Sequence, residues 1–463
     1  MGISITKRAG GGMKMKKSLR LMLVGMLLVL AVSACSGGGN AGNSGDAGNT
    51  GNTANEGAGN AGGGSQGSQE ITVWAWDPNF NIAALNLAKE RYEAKHPDVK
   101  VNIVEYAQED IVQKLNTGLN SGTTKGLPNI VLIEDYRAQN FLQAYPDAFR
   151  DMTGVIKAED FAEYKIGPTS SNGKQYGVPF DSGATGLYVR TDYLEQAGYT
   201  VDDLTNIDWN KYIEIGKKIK ETTGKDMLTQ DPNDLGLIRV MAQSAGTWYL
   251  KEDGKTPNLA DNPVIKEALE TYKAMFDANI VKMNSDWSQF LAAFNNGDVA
   301  TVPTGNWITP SVKAEASQSG NWAVVPTPKL ANSAGSVNAS SLGGSSWYVM
   351  NLDGQDAAAN FLAETFGSDS EFYSELLEKI GAIGSLKAAS SGAAYDKADE
   401  FFGGQKIYAD FAKWTAEVPK VNYGLHTYAI EDILVIEIQN YLNGKDVDSV
   451  IRDAQAQAES QLQ

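Results

Sequence analysis

The chain has 463 residues, 42% of them hydrophobic and 21% charged, with a formal net charge of −17. That size and mix exclude a mini-protein, a collagen-like fibre and a wholly disordered chain, and they predict a large core split between about two or three domains. The acidic balance repels phosphate backbones and argues against nucleic acid as a partner; one cysteine (Cys35) and two histidines (His96, His426) exclude an internal disulfide and a Cys/His metal cluster.

Residues 14–20 read KMKKSLR, and 21–34 read LMLVGMLLVLAVSA without a charge. A basic segment followed by a short apolar one and small residues describes a secretory signal peptide. It is too short for a comfortable membrane span of about 20 residues. Val32-Ser33-Ala34-Cys35 resembles a bacterial lipobox, which implies cleavage before Cys35 and a lipid on its sulfur. Removing 1–34 strips Lys7, Arg8, Lys14, Lys16, Lys17 and Arg20 and no acid, leaving a more acidic chain. Residues 36–69 have no aromatic or branched aliphatic side chain, so they cannot offset their ordering entropy and are predicted to form a flexible tether. Its reach is about 30 Å, from roughly 5–6 Å times the square root of its length. The Gly37-x-Gly39-x-x-Gly42 match inside it lacks the strand-then-helix setting of a dinucleotide fingerprint.

From residue 70 strands and helices alternate. ITVWAW (71–76) reads as a strand, 81–97 as a helix stopped by Pro97, VKVNIVEY (99–106) as a strand and 110–122 as a helix ending in Gly. NIVLIED (129–135) is the continuous apolar run of a buried parallel strand. Helical periodicity follows over 207–221, 234–246, 261–278 and 286–296, with short strands at 298–302, 321–326 and 345–350. Helices at 405–416, 427–443 and 446–461 close the chain, the last opened by Asp446. This is an α/β protein too large for a single core.

Open parallel sheets bind ligands at the carboxyl ends of their strands. Those ends carry Trp76-Asp77, Glu134-Asp135, Asp181 after YGVPF, Trp307 after Gly305-Asn306, and Trp347 in SSLGGSSW. Carboxylates beside aromatic rings suit a sugar: the ring covers the apolar C–H face and an ionised carboxylate accepts hydroxyl hydrogen bonds. Each residue also has a plain structural role open to it. Trp74 and Trp322 read as core, and Asp77 and Asp135 can serve as helix caps.

The stretches ITVWAWD, AKERYEAKHPDVKVNIVE, LPNIVLIED, YGVPFDSGATGLYVRTDYLEQAG, FLAAFNNGDVATVPTGNW and SLGGSSW, in that order, resemble the extracellular solute-binding proteins of ABC importers, carbohydrate-binding branch. Within it the chain looks most like the lactose-binding and the arabinose- or arabino-oligosaccharide-binding members. The resemblance implies a two-lobe periplasmic-binding-protein-like fold with a ligand cleft between the lobes and three crossover segments. Lobe one maps to 70–181 plus 326–382, and lobe two to 182–325 plus 383–463. By analogy Trp76, Asp77, Glu134, Asp135, Asp181, Trp307, Gly344, Ser345 and Trp347 face the cleft; Asn233-Asp234 and the 423–428 stretch with His426 are further candidates without a motif. The implied protein is a monomer at the outer face of the cell membrane, anchored through Cys35, that binds a sugar or oligosaccharide and delivers it to a permease by hinge closure. It uses no cofactor or metal and catalyses nothing. The rival readings are an anchored glycoside hydrolase, which needs a carboxylate pair, an adhesion or scaffold lipoprotein, and a receptor for a non-sugar solute.

Overall fold

The computed structural model describes residues 69–462. The predicted signal peptide, the Cys35 lipid site and the tether up to residue 68 lie outside the described residues. Among the described residues no helix is long and apolar enough to cross a membrane, and no group of His, Cys, Asp and Glu is arranged to hold a metal ion.

The first lobe is built on a mixed sheet. Its parallel part sets Val99–Glu105, Gln69–Ala75 and Ile130–Glu134 side by side, with helices Asn81–Lys95 and Gln108–Asn120 as crossovers. Period-two alternation sends Ile71, Val73 and Ala75 into one core and Trp74 into another on the opposite face. The sheet is then extended by Ser345–Val349, antiparallel to Ile130–Glu134, and by Gly177–Pro179, antiparallel to that strand in turn. The reversal decides which residues reach the ligand edge: Ser345 pairs with Glu134, so this strand presents its beginning there and buries its continuation.

The second lobe centres on an antiparallel sheet in which the fully buried Thr185–Arg190 lies between Thr301–Gly305 and Trp322–Pro326. The sequence reading named neither this strand nor helices Gln355–Glu364 and Ser370–Ile380. The helices around the second lobe carry local signals that explain their ends. Asp208 accepts the Lys211 amide at the start of Trp209–Thr223, and Gly224, at φ +73°, closes it. Asn262 and Pro263 open Pro263–Asp277, and Asp446 accepts the Ser449 amide ahead of Val447–Gln461.

Between the lobes the chain passes side by side at 181–184, 341–345 and 383–385: Asp181 bridges Gly384, Ala184 bridges Ser341, and the Ser182 amide donates to the Ile383 carbonyl at 2.8 Å. The expectation that residues from 326 on belong to the first lobe is corrected by the packing of 327–342. The Thr327 hydroxyl bonds to that of Thr185, the Trp209 amide donates to Lys329, and Leu330 lies in the second-lobe core. This segment continues the Trp322–Pro326 edge strand of the second sheet, so its apolar contacts stay there until Leu342.

Candidate ligand-binding site

A cavity of about 1320 Å³ opens between the strand ends of the two lobes. From the first lobe Trp76, Asp77, Glu134 and Asp181 line it, and the Gly344-Ser345 turn forms part of its floor. From the second lobe come Trp287 and Trp307.

Each first-lobe carboxylate has one oxygen committed to the fold. Asp77 sits at φ +60° and its Oδ1 accepts the amides of Asn79 and Phe80, an Asx-type turn that starts helix Asn81–Lys95. Asp181 Oδ1 accepts both the amide and the hydroxyl of Ser345, each at 2.7 Å. Glu134 Oε2 accepts the Tyr428 hydroxyl from the second lobe. Burial and then the Glu134 charge push the Tyr428 phenol well above its ordinary range, so it stays a donor at neutral pH. Arg137 lies 3.8 Å from the centre of the same ring. The second oxygens of Asp77, Asp181 and Glu134 carry no hydrogen bond among the described residues. Three lone-pair-rich oxygens therefore border the cavity, which is the equipment for hydroxyl donors.

The aromatic side is fixed differently. Trp307 sits in the middle of the short turn Asn306–Ile308 after strand Thr301–Gly305, and its Nε1 donates to the Leu342 carbonyl at 2.8 Å. With the indole N–H committed, the ring offers its face. Gly305 makes the orientation possible, since a Cβ there would lie 2.2 Å from Trp307 Nε1. Gly344, at φ +92°, lets the floor turn close against Asp135, which a Cβ would approach to 3.1 Å.

The chain matches the family described as bacterial extracellular solute-binding protein over residues 88–403. It belongs to that family. This solute-binding protein is 48% identical over 395 residues to the lactose-binding protein of Rhizobium radiobacter, covering 85% of this chain and 93% of the relative. It is 28% identical over 212 residues to the arabinooligosaccharide-binding protein of Bacillus subtilis, covering 45% and 47%. Among solved structures, the binding protein of B. animalis subsp. lactis in complex with beta-1,6-galactobiose shares the fold with a TM-score of 0.68 at 21% identity, over 85% of this chain and 98% of that one. The GacH receptor of Streptomyces glaucescens does so with a TM-score of 0.70 at 19% identity, over 85% and 98%. The solute-binding protein accordingly has a two-lobe α/β fold.

Two residues that the sequence reading set in the cleft do not line it. Asp135 is 1% exposed and forms an ion pair with Lys165, itself fully buried. Lys165 also donates to the Ser345 carbonyl at 2.9 Å, and Asp135 accepts the Ser346 hydroxyl at 2.8 Å. Burial acts to lower the Lys165 pKa, but the Asp135 carboxylate beside it raises it overall; burial raises the Asp135 carboxyl against the opposing pull of Lys165. Asp135 fails as a cleft residue because it begins helix Asp135–Ala144, which turns it inward from Glu134. Trp347 is fully buried against Phe180 and Phe366, with ring centres 5.5 and 5.1 Å away. Its strand runs antiparallel, so two residues beyond Ser345 lead away from the cleft. The further candidates Asn233, Asp234, Tyr423 and His426 also stand outside the lining.

The sequence reading missed Trp287 and Asn81. Trp287 is 53% exposed at the first position of helix Trp287–Asn295. With Phe290, Leu291 and Phe294 it makes an i, i+3, i+4, i+7 stripe, which on sequence alone reads as core. Asn81 is 4% exposed, lines the cavity and has an Oδ1 without a hydrogen-bond partner. Its position at a helix start gave no sign of that.

Proposed function

We propose that the protein is an extracellular sugar receptor, held to the membrane by a lipid on Cys35, that closes its lobes on a sugar and presents it to an ABC permease. The observation that carries this reading is the pairing, across one cavity, of the Trp307 ring face with the uncommitted oxygens of Asp77, Glu134 and Asp181. That pairing matches a neutral polyhydroxylated ring with apolar C–H faces. The lactose- and arabinooligosaccharide-binding relatives are sugar-binding proteins by name, which supports the same ligand class.

Trp76, Asp77, Glu134, Asp181, Gly344 and Ser345 then act from the first lobe and Trp307 from the second. The lobes take 70–181 and the 343–382 region on one side, with Leu386 and Ala389 packed into the same core, and the rest of the described chain on the other. A ligand that touches both walls favours the closed arrangement by its differential contacts. The tether keeps the receptor near its permease and raises the effective concentration of their encounter.

The test is titration of the full-length chain with lactose, arabino-oligosaccharides and single sugars, followed by tryptophan fluorescence and thermal shift. Saturable binding with the sugar recovered intact is the expected result. A blank across the panel for folded protein sinks the sugar reading. Replacing Cys35 with Ser should release the protein from the membrane fraction without changing sugar affinity; retention would overturn the anchor.

A further inference from the structure

Trp287 is an exposed tryptophan that no structural role explains. Its helix start is already secured by Asp286, whose carboxylate accepts the Gln289 amide at 2.9 Å and the Gln289 side chain at 2.6 Å. One face of its ring rests on Phe290, with centres 5.2 Å apart and planes 22° apart. The other side lies open to the cavity. A single exposed ring is ordinary, but an apolar patch of adjoining exposed rings marks a site where something binds.

The neighbour of Trp287 is Trp307. The two ring centres are 5.9 Å apart and the planes 39° apart. They form one angled shelf on the second lobe, with Trp307 at the inner end beside the Gly343-Gly344 floor and Trp287 at the outer end. Adjacent sugar rings joined by a glycosidic bond are spaced similarly and are themselves tilted against each other. The cavity, at about 1320 Å³, also exceeds the roughly 300–1,000 Å³ of ordinary small-ligand sites.

We propose that the shelf reads two consecutive rings, with Trp307 covering the first and Trp287 the second, so that Trp287 sets a preference for a disaccharide or longer chain over a single sugar. This inference rests on the sugar reading of the cleft. The second ring stacks without needing the carboxylates, which stand around the inner subsite. Trp287 is therefore a specificity residue for chain length, and its removal leaves the inner subsite whole.

Full-length wild type and W287A are titrated with lactose, galactose and glucose by calorimetry, with melting temperature as the control for folding. The wild type should bind lactose more tightly than either single sugar. W287A should lose about tenfold or more in lactose affinity, the scale of one lost aromatic contact, and retain the affinity of the wild type for the single sugar that binds. W287F should recover part of the loss. Equal weakening of lactose and the single sugar, or unchanged lactose affinity, overturns the two-ring shelf and leaves the sugar receptor standing. A wild type that binds none of the sugars overturns the sugar reading itself, and the shelf with it.

Discussion

The two walls of the cleft use similar residues to opposite ends. At the first-lobe edge, polar groups are drawn inward: Lys165 and Asp135 are buried as a pair, and together with Asp181 they hold the Gly344-Ser345 turn through its carbonyl, amide and hydroxyl. At the second-lobe edge, apolar rings are turned outward: Trp287 is 53% exposed and Trp307 is half-buried beside it. Burial of charge needs full pairing to be tolerated, and exposure of large rings needs an incoming partner to be useful. One wall is therefore held from within by paired polar groups, and the other leaves its rings open.

The sharpest way to break this contrast is at the buried pair. Lys165→Met leaves Asp135 buried without its partner and should cost about 3–5 kcal/mol of stability, measured by denaturant unfolding. A cost near zero would mean that the floor turn is not held from within. Asp181 stands on the border between the two roles. Asp181→Asn keeps an acceptor for the Ser345 amide but loses the charge, so sugar affinity should fall by about 1.5–3 kcal/mol while the melting temperature changes little. Unchanged affinity with lost stability would move Asp181 to the structural side, beside Asp135. On the outward wall, Trp307→Ala should weaken sugar binding by about 1–3 kcal/mol in calorimetry and leave a folded protein; unaltered affinity would remove the ring from the site.

The smallest effect concerns the link between the walls. Tyr428→Phe deletes the hydroxyl that donates to Glu134 across the lobes. It should shift the balance of lobe arrangements by about 0.5–1.5 kcal/mol, seen as a change in the radius of gyration by solution scattering without ligand. An identical scattering curve would show that this contact does not bias the lobes.

Much of the architecture was legible because local signals were strong. The IVLI run, the Asp446 cap and the alternation of 99–105 need only neighbours in sequence to be read. Position alone left Trp307 open between core and cleft, and the resemblance put it forward; the structure sets it in the cavity lining after a strand and a Gly-Asn pair. Asp135 misled because it starts helix Asp135–Ala144, which turns it inward, and Trp347 misled because the reading treated every strand end alike. The sheet is mixed, and a strand that runs the other way buries at its third residue what a parallel one would present. Trp287 went unnamed, since an i, i+3, i+7 stripe of rings has the same spacing whether its first member faces a core or a cleft.

The sequence alone determined the acidic α/β chain, the strands and helices of its first and last parts and the pairing of acids with rings at strand ends, because composition and periodicity act over neighbouring residues. Only the tertiary structure decided which acid is buried beside Lys165, which crossing the 327–342 segment waits for, and that Trp287 meets Trp307. These depend on strand direction and on contacts between residues distant in the chain, for which local pattern carries no information.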